Sequence, residues 1–158
     1  MAINLNDTTP AAPSGGVNVK WQSDGSNNAS AYMPLSGIPG VIGCTIDGGG
    51  SVITAGQKGY VSVPYGCTIT GWDIIADQSG SITVEIDKHA GAVPNTTTDK
   101  ISASAPPALS SAQIAQNQPC TGWSASGAVA AGDVIGFNVS GTPVSVTRVT
   151  VLLRVTRT

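Results

Sequence analysis

Apolar and polar residues alternate along most of the chain from residue 43 onward. Residues 82–86 read ITVEI, residues 135–139 read IGFNV and residues 149–155 read VTVLLRV, with apolar side chains at every second position. Successive side chains of a β-strand point to opposite faces, so this period predicts strands with one buried face. Turn residues separate the runs at intervals of about 8 to 12 residues, and no long helical pattern is present. The sequence therefore predicts an all-β chain with an antiparallel β-sandwich or jelly-roll fold.

Several connections can be predicted from local composition. Residues 77–80 read DQSG, which is typical of a turn, so the apolar runs on either side predict a β-hairpin. The apolar parity shifts at Gly71, which indicates a β-bulge or a bend there. Residues 101–105 are interpreted as a short strand. Residues 109–116 are compatible with one or two helical turns, although their apolar spacing is poor.

The first 42 residues differ from the rest because apolar residues are sparse in them. Residues 8–16 read TTPAAPSGG, and their prolines and glycines exclude a helix. Residues 17–22 (VNVKWQ) and 31–33 (AYM) predict a hairpin, which is only marginally stable alone in water. We therefore expect residues 1–42 to form an extended arm that docks on neighbouring subunits, and residues 43–158 to form the β-sandwich domain. The candidate docking residues of the arm are Val17, Val19, Trp21 and Tyr32.

Composition and charge narrow the choice of partners. Charged residues make up 10% of the 158 residues, and the formal net charge is −2 at pH 7. Without a basic stripe, nucleic acid is not an expected partner. No apolar run approaches the ~18 residues of a membrane span, so no membrane association is expected. The first residues lack the pattern of a signal peptide, and we expect synthesis in the cytosol.

Signatures of catalytic and cofactor sites are not found. The one histidine, His89, is interpreted as a loop residue and has no local catalytic motif around it. Residues 122–126 (GWSAS) depart from the nucleophile elbow. Residues 46–51 (IDGGGS) lack the lysine and the helix of a phosphate loop, so we interpret them as a turn. The three cysteines have no metal-ligand spacing. We expect no enzyme activity, no cofactor and no metal.

Tryptophan and tyrosine residues are the remaining candidates for recognition. Trp72 shares the parity of Ile74 and is expected in the core. Tyr65 and Trp123 lie in loop-like settings beside glycine, proline or serine. A flat aromatic ring can stack on a sugar ring, so these two residues are the candidates for contact with a host glycan.

Long stretches of the chain resemble bacteriophage virion structural proteins. The opening MAINLNDTTPAAPSGGVNVKWQSDGSNNASAYMP is similar to the N-terminal module of such proteins. Four later stretches are similar to the surface β domain of these virion proteins. They are GSVITAGQKGYVSVPYGCTITGWDIIADQSGSITVEIDK, ISASAPPALSSAQ, AAGDVIGFNV and VTRVTVLLRVT. The resemblance implies a virion protein with a jelly-roll-like domain, and a homotrimer. It assigns no functional residue.

Two functions are consistent with these observations. The first is a trimeric capsid decoration or cement protein, assembled in the host cytoplasm and held on the virion surface by its arm. Its partners would be the major capsid protein or other virion subunits. The second is a receptor-binding or fibre protein whose β domain binds host surface glycan.

Overall fold

A computed structural model describes residues 16–23, 27–34, 36–102, 104–120 and 122–158. Strands dominate these ranges, and the regular helix in them is one 3-10 turn, Ser124–Gly127. The chain divides into two compact units, Met1–Gly37 and Ile38–Thr158. The prediction of an all-β fold with antiparallel strands is confirmed.

The N-terminal unit contains a two-stranded ribbon. Strands β1 (Gly16–Ser23) and β2 (Asn27–Pro34) pair antiparallel, as the alternation in the sequence predicts. Val17, Val19 and Trp21 lie on β1 and Tyr32 lies on β2. The docking role predicted for these side chains falls outside what the structure describes, as do residues 1–15.

The second unit is one antiparallel sheet that curls into a sandwich-like body. Its path runs β3-β9-β5-β8-β4, and β6 and β7 also pair with β5. The strands are β3 (Pro39–Asp47), β4 (Gly56–Ser62), β5 (Cys67–Ala90), β6 (Ala108–Asn117), β7 (Ala128–Val129), β8 (Asp133–Val144) and β9 (Arg148–Arg157).

The long strand β5 connects the two halves of this sheet. Residues 67–76 of β5 pair with β9, and residues 81–90 pair with β8. The hairpin predicted at residues 77–80 is therefore wrong, since the chain continues through them as an irregular strand. The carboxylate of Asp77 accepts hydrogen bonds from the backbone N–H groups of Thr147 (3.2 Å) and Arg148 (3.0 Å). These polar residues hold the β8–β9 turn and do not reverse the chain themselves.

A single hydrophobic core lies between the inner faces of the two halves. Ile74 and Ile86, one from each half of β5, are completely buried in it. The predicted inward positions of β8 and β9 are buried as well, and the register of β5 against β9 shifts at Gly71 as expected. The largest side chains that are completely enclosed in the core are Phe137, Ile74, Ile86, Ile135 and Leu153.

Three further expectations are corrected by the structure. Residues 108–117 form strand β6 along β5, because backbone pairing outweighs their weak helical preference. Residues 101, 102, 104 and 105 lie outside any strand, although Ile101 N–H donates to Ile86 O at 2.9 Å. Residues 39–42, which we assigned to the arm, form the first part of β3 and pair with β9, because Ile42 is buried in the core.

Candidate functional site

The outward side of β3, β9, β6 and the first half of β5 is partly exposed, and we call it the open face. It consists of Val41, Asp73, Ile75, Ile114, Leu152 and Arg154. Ile75 on β5 pairs directly with Ile114 on β6, and these side chains are 42% and 65% exposed. Leu152 lies over Gly43, since its Cδ2 atom is 2.8 Å from the position that a Cβ atom would occupy if that glycine had a side chain. The open face thus has an apolar centre.

An ion pair lies at one end of the open face. Arg154 donates to Asp73 through Nε and Nη2, each at 2.7 Å. The Asp73 carboxylate raises the pKa of Arg154. This pair lines a groove of about 560 Å³, together with the side chains of Thr70 and Gln118. A bidentate pair fixes both groups in one plane, so the groove has a rigid polar wall.

A second ion pair lies at the other end. Arg148 Nε donates to Asp47 Oδ2 at 2.7 Å, and this bond lowers the pKa of Asp47. The charges of the open face are therefore balanced within the chain. An apolar centre with a polar margin is the usual organisation of a protein–protein interface. The open face is our candidate functional site.

Residues 91–100 cover part of the outward side of the other half-sheet, around Asp87 and Gly136. Pro94 is buried over Gly136, with its Cγ atom 3.4 Å from the place of a Cβ atom on that glycine. Asp87 beneath this segment is completely buried. Lys100 pairs with Glu85 at 2.7 Å beside it. We call this side the covered face, and residues 91–100 the cover.

The two candidate glycan contacts are not placed together on an exposed surface. Trp123 is 6% exposed, and its Nε1–H donates to Ala105 O at 2.9 Å. Its indole belongs to the core, so it offers no free face to a sugar. Tyr65 is partly buried, and the guanidinium carbon of Arg157 lies 4.0 Å from its ring centroid. Trp72 is buried in the core, as predicted.

No metal site is present among the described residues, where groups of three or more suitable side chains do not occur. The prediction that His89 lies in a loop is wrong, because it is an exposed residue of β5 that pairs with Val134. Its Nδ1 atom lies 3.0 Å from Ala90 O. No helix in the described ranges has the length and hydropathy to cross a membrane.

The open face was not predicted from the sequence. The sequence feature that could have indicated this face is an apolar residue at an outward position of a strand. Three residues have this property: Val41, Ile75 and Ile114. The pairing of β5 with β6 brings two of them together, and that pairing could not be read from residues 109–116.

The chain matches no known family model, and no curated protein matches it either.

Proposed function

We propose that the chain is a structural protein of a bacteriophage particle, a trimeric decoration or cement protein held to the capsid by its N-terminal segment. The observation that carries this proposal is the division of the chain at Gly37 and Ile38. The second unit has its own core, whereas the first contains a ribbon of two strands. The resemblance to virion proteins supports the same proposal.

A two-stranded ribbon needs a further partner. Isolated hairpins are marginally stable in water, and in the described part of the chain no third strand pairs with β1 or β2. Each strand of the ribbon has an edge whose backbone groups can pair with another chain. A capsid subunit that supplies this edge would order the segment and attach the protein.

The open face supports contacts between subunits. Strand β6 at its margin carries no charged residue, and no described strand other than β5 pairs with it. Soluble proteins usually protect such edges with charges, prolines or covering loops. An uncharged edge beside exposed Ile75 and Ile114 therefore suits burial against a further copy of the chain or a capsid subunit.

Two deletions test the role of the N-terminal segment. Removal of residues 1–37 leaves every strand of the sheet, so we expect an unchanged melting temperature and loss of binding to phage heads that lack this protein. Removal of residues 1–42 also takes away the first part of β3 and buried Ile42, which costs at least about 2 kcal/mol. Calorimetry and co-sedimentation with the heads measure the two effects.

The oligomeric state of the full chain provides a second test of the proposal. Analytical ultracentrifugation should give three times the chain mass of 15.7 kDa. A monomer at micromolar concentration, or a 1–37 deletion that still binds the heads, would contradict the proposal.

A receptor-binding protein is the second candidate, and the groove beside Arg154 and Asp73 favours it. Planar polar groups in a groove of about 560 Å³ suit the hydroxyl groups of a glycan. Binding of the full chain to a glycan array, lost in Asp73→Ala and kept in Asp47→Ala, would support this function. Absence of binding on a broad array counts against it.

A further inference from the structure

Two acceptor side chains on the covered face are buried without partners. Asp87 is completely buried, and neither of its carboxylate oxygens has a hydrogen-bond partner among the described residues. Gln57 Oε1 is buried and unpartnered in the same way. A buried polar atom without a hydrogen bond costs about 1–3 kcal/mol, so three of them on one face need an explanation.

The two side chains converge over Gly136. The place of a Cβ atom on this glycine lies 2.9 Å from Gln57 Nε2 and 3.6 Å from Asp87 Cβ. Gln57 Nε2 donates to Gly59 O at 3.0 Å, which leaves Oε1 as the acceptor end of the amide. If the Asp87 carboxyl carries a proton, its O–H group can donate a hydrogen bond, and Gln57 Oε1 is an acceptor that lacks a partner.

The charges around Asp87 favour that proton. Glu85 on the same strand and Asp99 near the end of the cover are acidic, and among the described residues Lys100 is the basic group that acts on Asp87. Lys100 is paired with Glu85 at 2.7 Å. Strands β8 and β4 contribute uncharged Gly136 and Gln57. Burial, with a smaller contribution from Glu85, raises the pKa of Asp87 to about 6.

We propose that Asp87 is held as a neutral carboxylic acid that donates a hydrogen bond to Gln57 Oε1, and that loss of its proton opens the cover. An ionised carboxylate needs water or a donor, and the cover is what separates Asp87 from solvent. Two backbone hydrogen bonds attach the C-terminal end of the cover to β5. Lys88 N–H donates to Asp99 O at 2.8 Å, and just after the cover Ile101 N–H donates to Ile86 O at 2.9 Å. Opening therefore exposes the amides of Lys88 and Ile101.

The test follows the proton and the cover separately in the full chain. Carbon-detected NMR should show the Asp87 carboxyl titrating near pH 6. Hydrogen-exchange protection of the Lys88 and Ile101 amides should fall about tenfold between pH 5 and pH 7.5, after correction for the intrinsic exchange rate.

Two variants separate the proton from mere packing. In Asp87→Asn the amide donates as the acid does, so protection should stay high at both pH values. In Asp87→Ala the donor is lost, and protection should be low at both. Asp47→Asn, on the other half-sheet, should keep the pH dependence of the parent. An Asp87 midpoint below pH 4.5, or an Asn variant that exchanges as fast as the Ala variant, would overturn the proposal, and the NMR midpoint decides even where a variant fails to fold.

Discussion

Asp73 and Asp87 lie on the two halves of the same strand, and both point away from the core. Asp73 is on the open face, where Arg154 binds both of its oxygens at 2.7 Å. Asp87 is on the covered face, where it is completely buried and neither oxygen is bonded within the described chain. Both residues occupy outward positions of the strand. What lies over each face decides whether the carboxylate is paired at a surface or enclosed.

The comparison separates two uses of one sheet. The open face keeps exposed apolar side chains between balanced ion pairs, which suits contact with another molecule. The covered face is closed by the chain itself, so its polar groups must be satisfied from within. The inner sides of both halves are nevertheless parts of a single core. Differences between the halves should therefore appear in variants of the outer faces and not in variants of the core.

The largest expected effect tests the shared core. Ile74 and Ile86 lie under the open and the covered face, and both are completely buried. Ile74→Ala and Ile86→Ala should each cost about 2–5 kcal/mol, because each leaves a cavity in the same core. Urea unfolding measured by tryptophan fluorescence and by circular dichroism should show one transition for each variant. Two separate transitions would show that the halves are independent and would break the comparison.

A smaller effect is expected where the two halves meet. A Cβ atom on Gly80 would lie 2.3 Å from Val144 O and 2.7 Å from Val146 Cγ2. Gly80→Ala therefore forces the backbone of β5 away from the β8–β9 turn and should cost about 1–3 kcal/mol. Exposed Ser79 is the matched control, and Ser79→Ala should leave the free energy of unfolding almost unchanged. Equal stability of the two variants in urea would contradict this close approach.

The smallest effects should appear in the pH dependence of stability. Hydrogen bonds from Thr147 and from Arg148 N–H lower the pKa of Asp77 below 3.8, so its contribution is present above that pH and is lost as the pH falls. Burial raises the pKa of Asp87 to about 6. The contribution of its neutral form to the stability of the fold is therefore fully present below pH 3.8 and is lost as the pH rises through 6.

These opposite signs predict a stability maximum on the acid side of neutrality. Melting temperatures measured from pH 2 to pH 8 should rise and then fall. Asp77→Asn should weaken the dependence on the acid side, and Asp87→Asn should weaken the fall towards pH 7. A profile in which Asp87→Asn changes only the acid side would contradict the assignment.

The fold class could be predicted because alternation is a local property. Residues 82–86 and 135–139 have the period of a half-buried strand, and their apolar members are buried in the structure. Residues 77–80 have the composition of a turn, but the side chain of Asp77 bonds to a turn about 70 positions away. Trp123 lies in a loop and is nevertheless buried. Local composition does not report contacts that distant parts of the chain create.

The two faces could not be predicted for the same reason. Asp87 follows the outward parity of its strand, which normally means contact with water. Its burial depends on Pro94, seven positions later, and on Gly136 of β8. The apolar centre of the open face depends on the register that sets Ile75 opposite Ile114. Docking of the arm and the assembly of the trimer stay predictions.

The pairing of β3 with β9 has a consequence for synthesis. These strands are the first and the last of the sheet, and residues 39–47 pair with residues 148–156. The ribosome releases residues in order, so β3 waits without its neighbour while more than 100 residues are translated. The edge of β3 is open during this interval, and on crowded polysomes it can pair with the same strand of an adjacent nascent chain. Production of this protein at low temperature or slow induction should therefore raise the soluble yield.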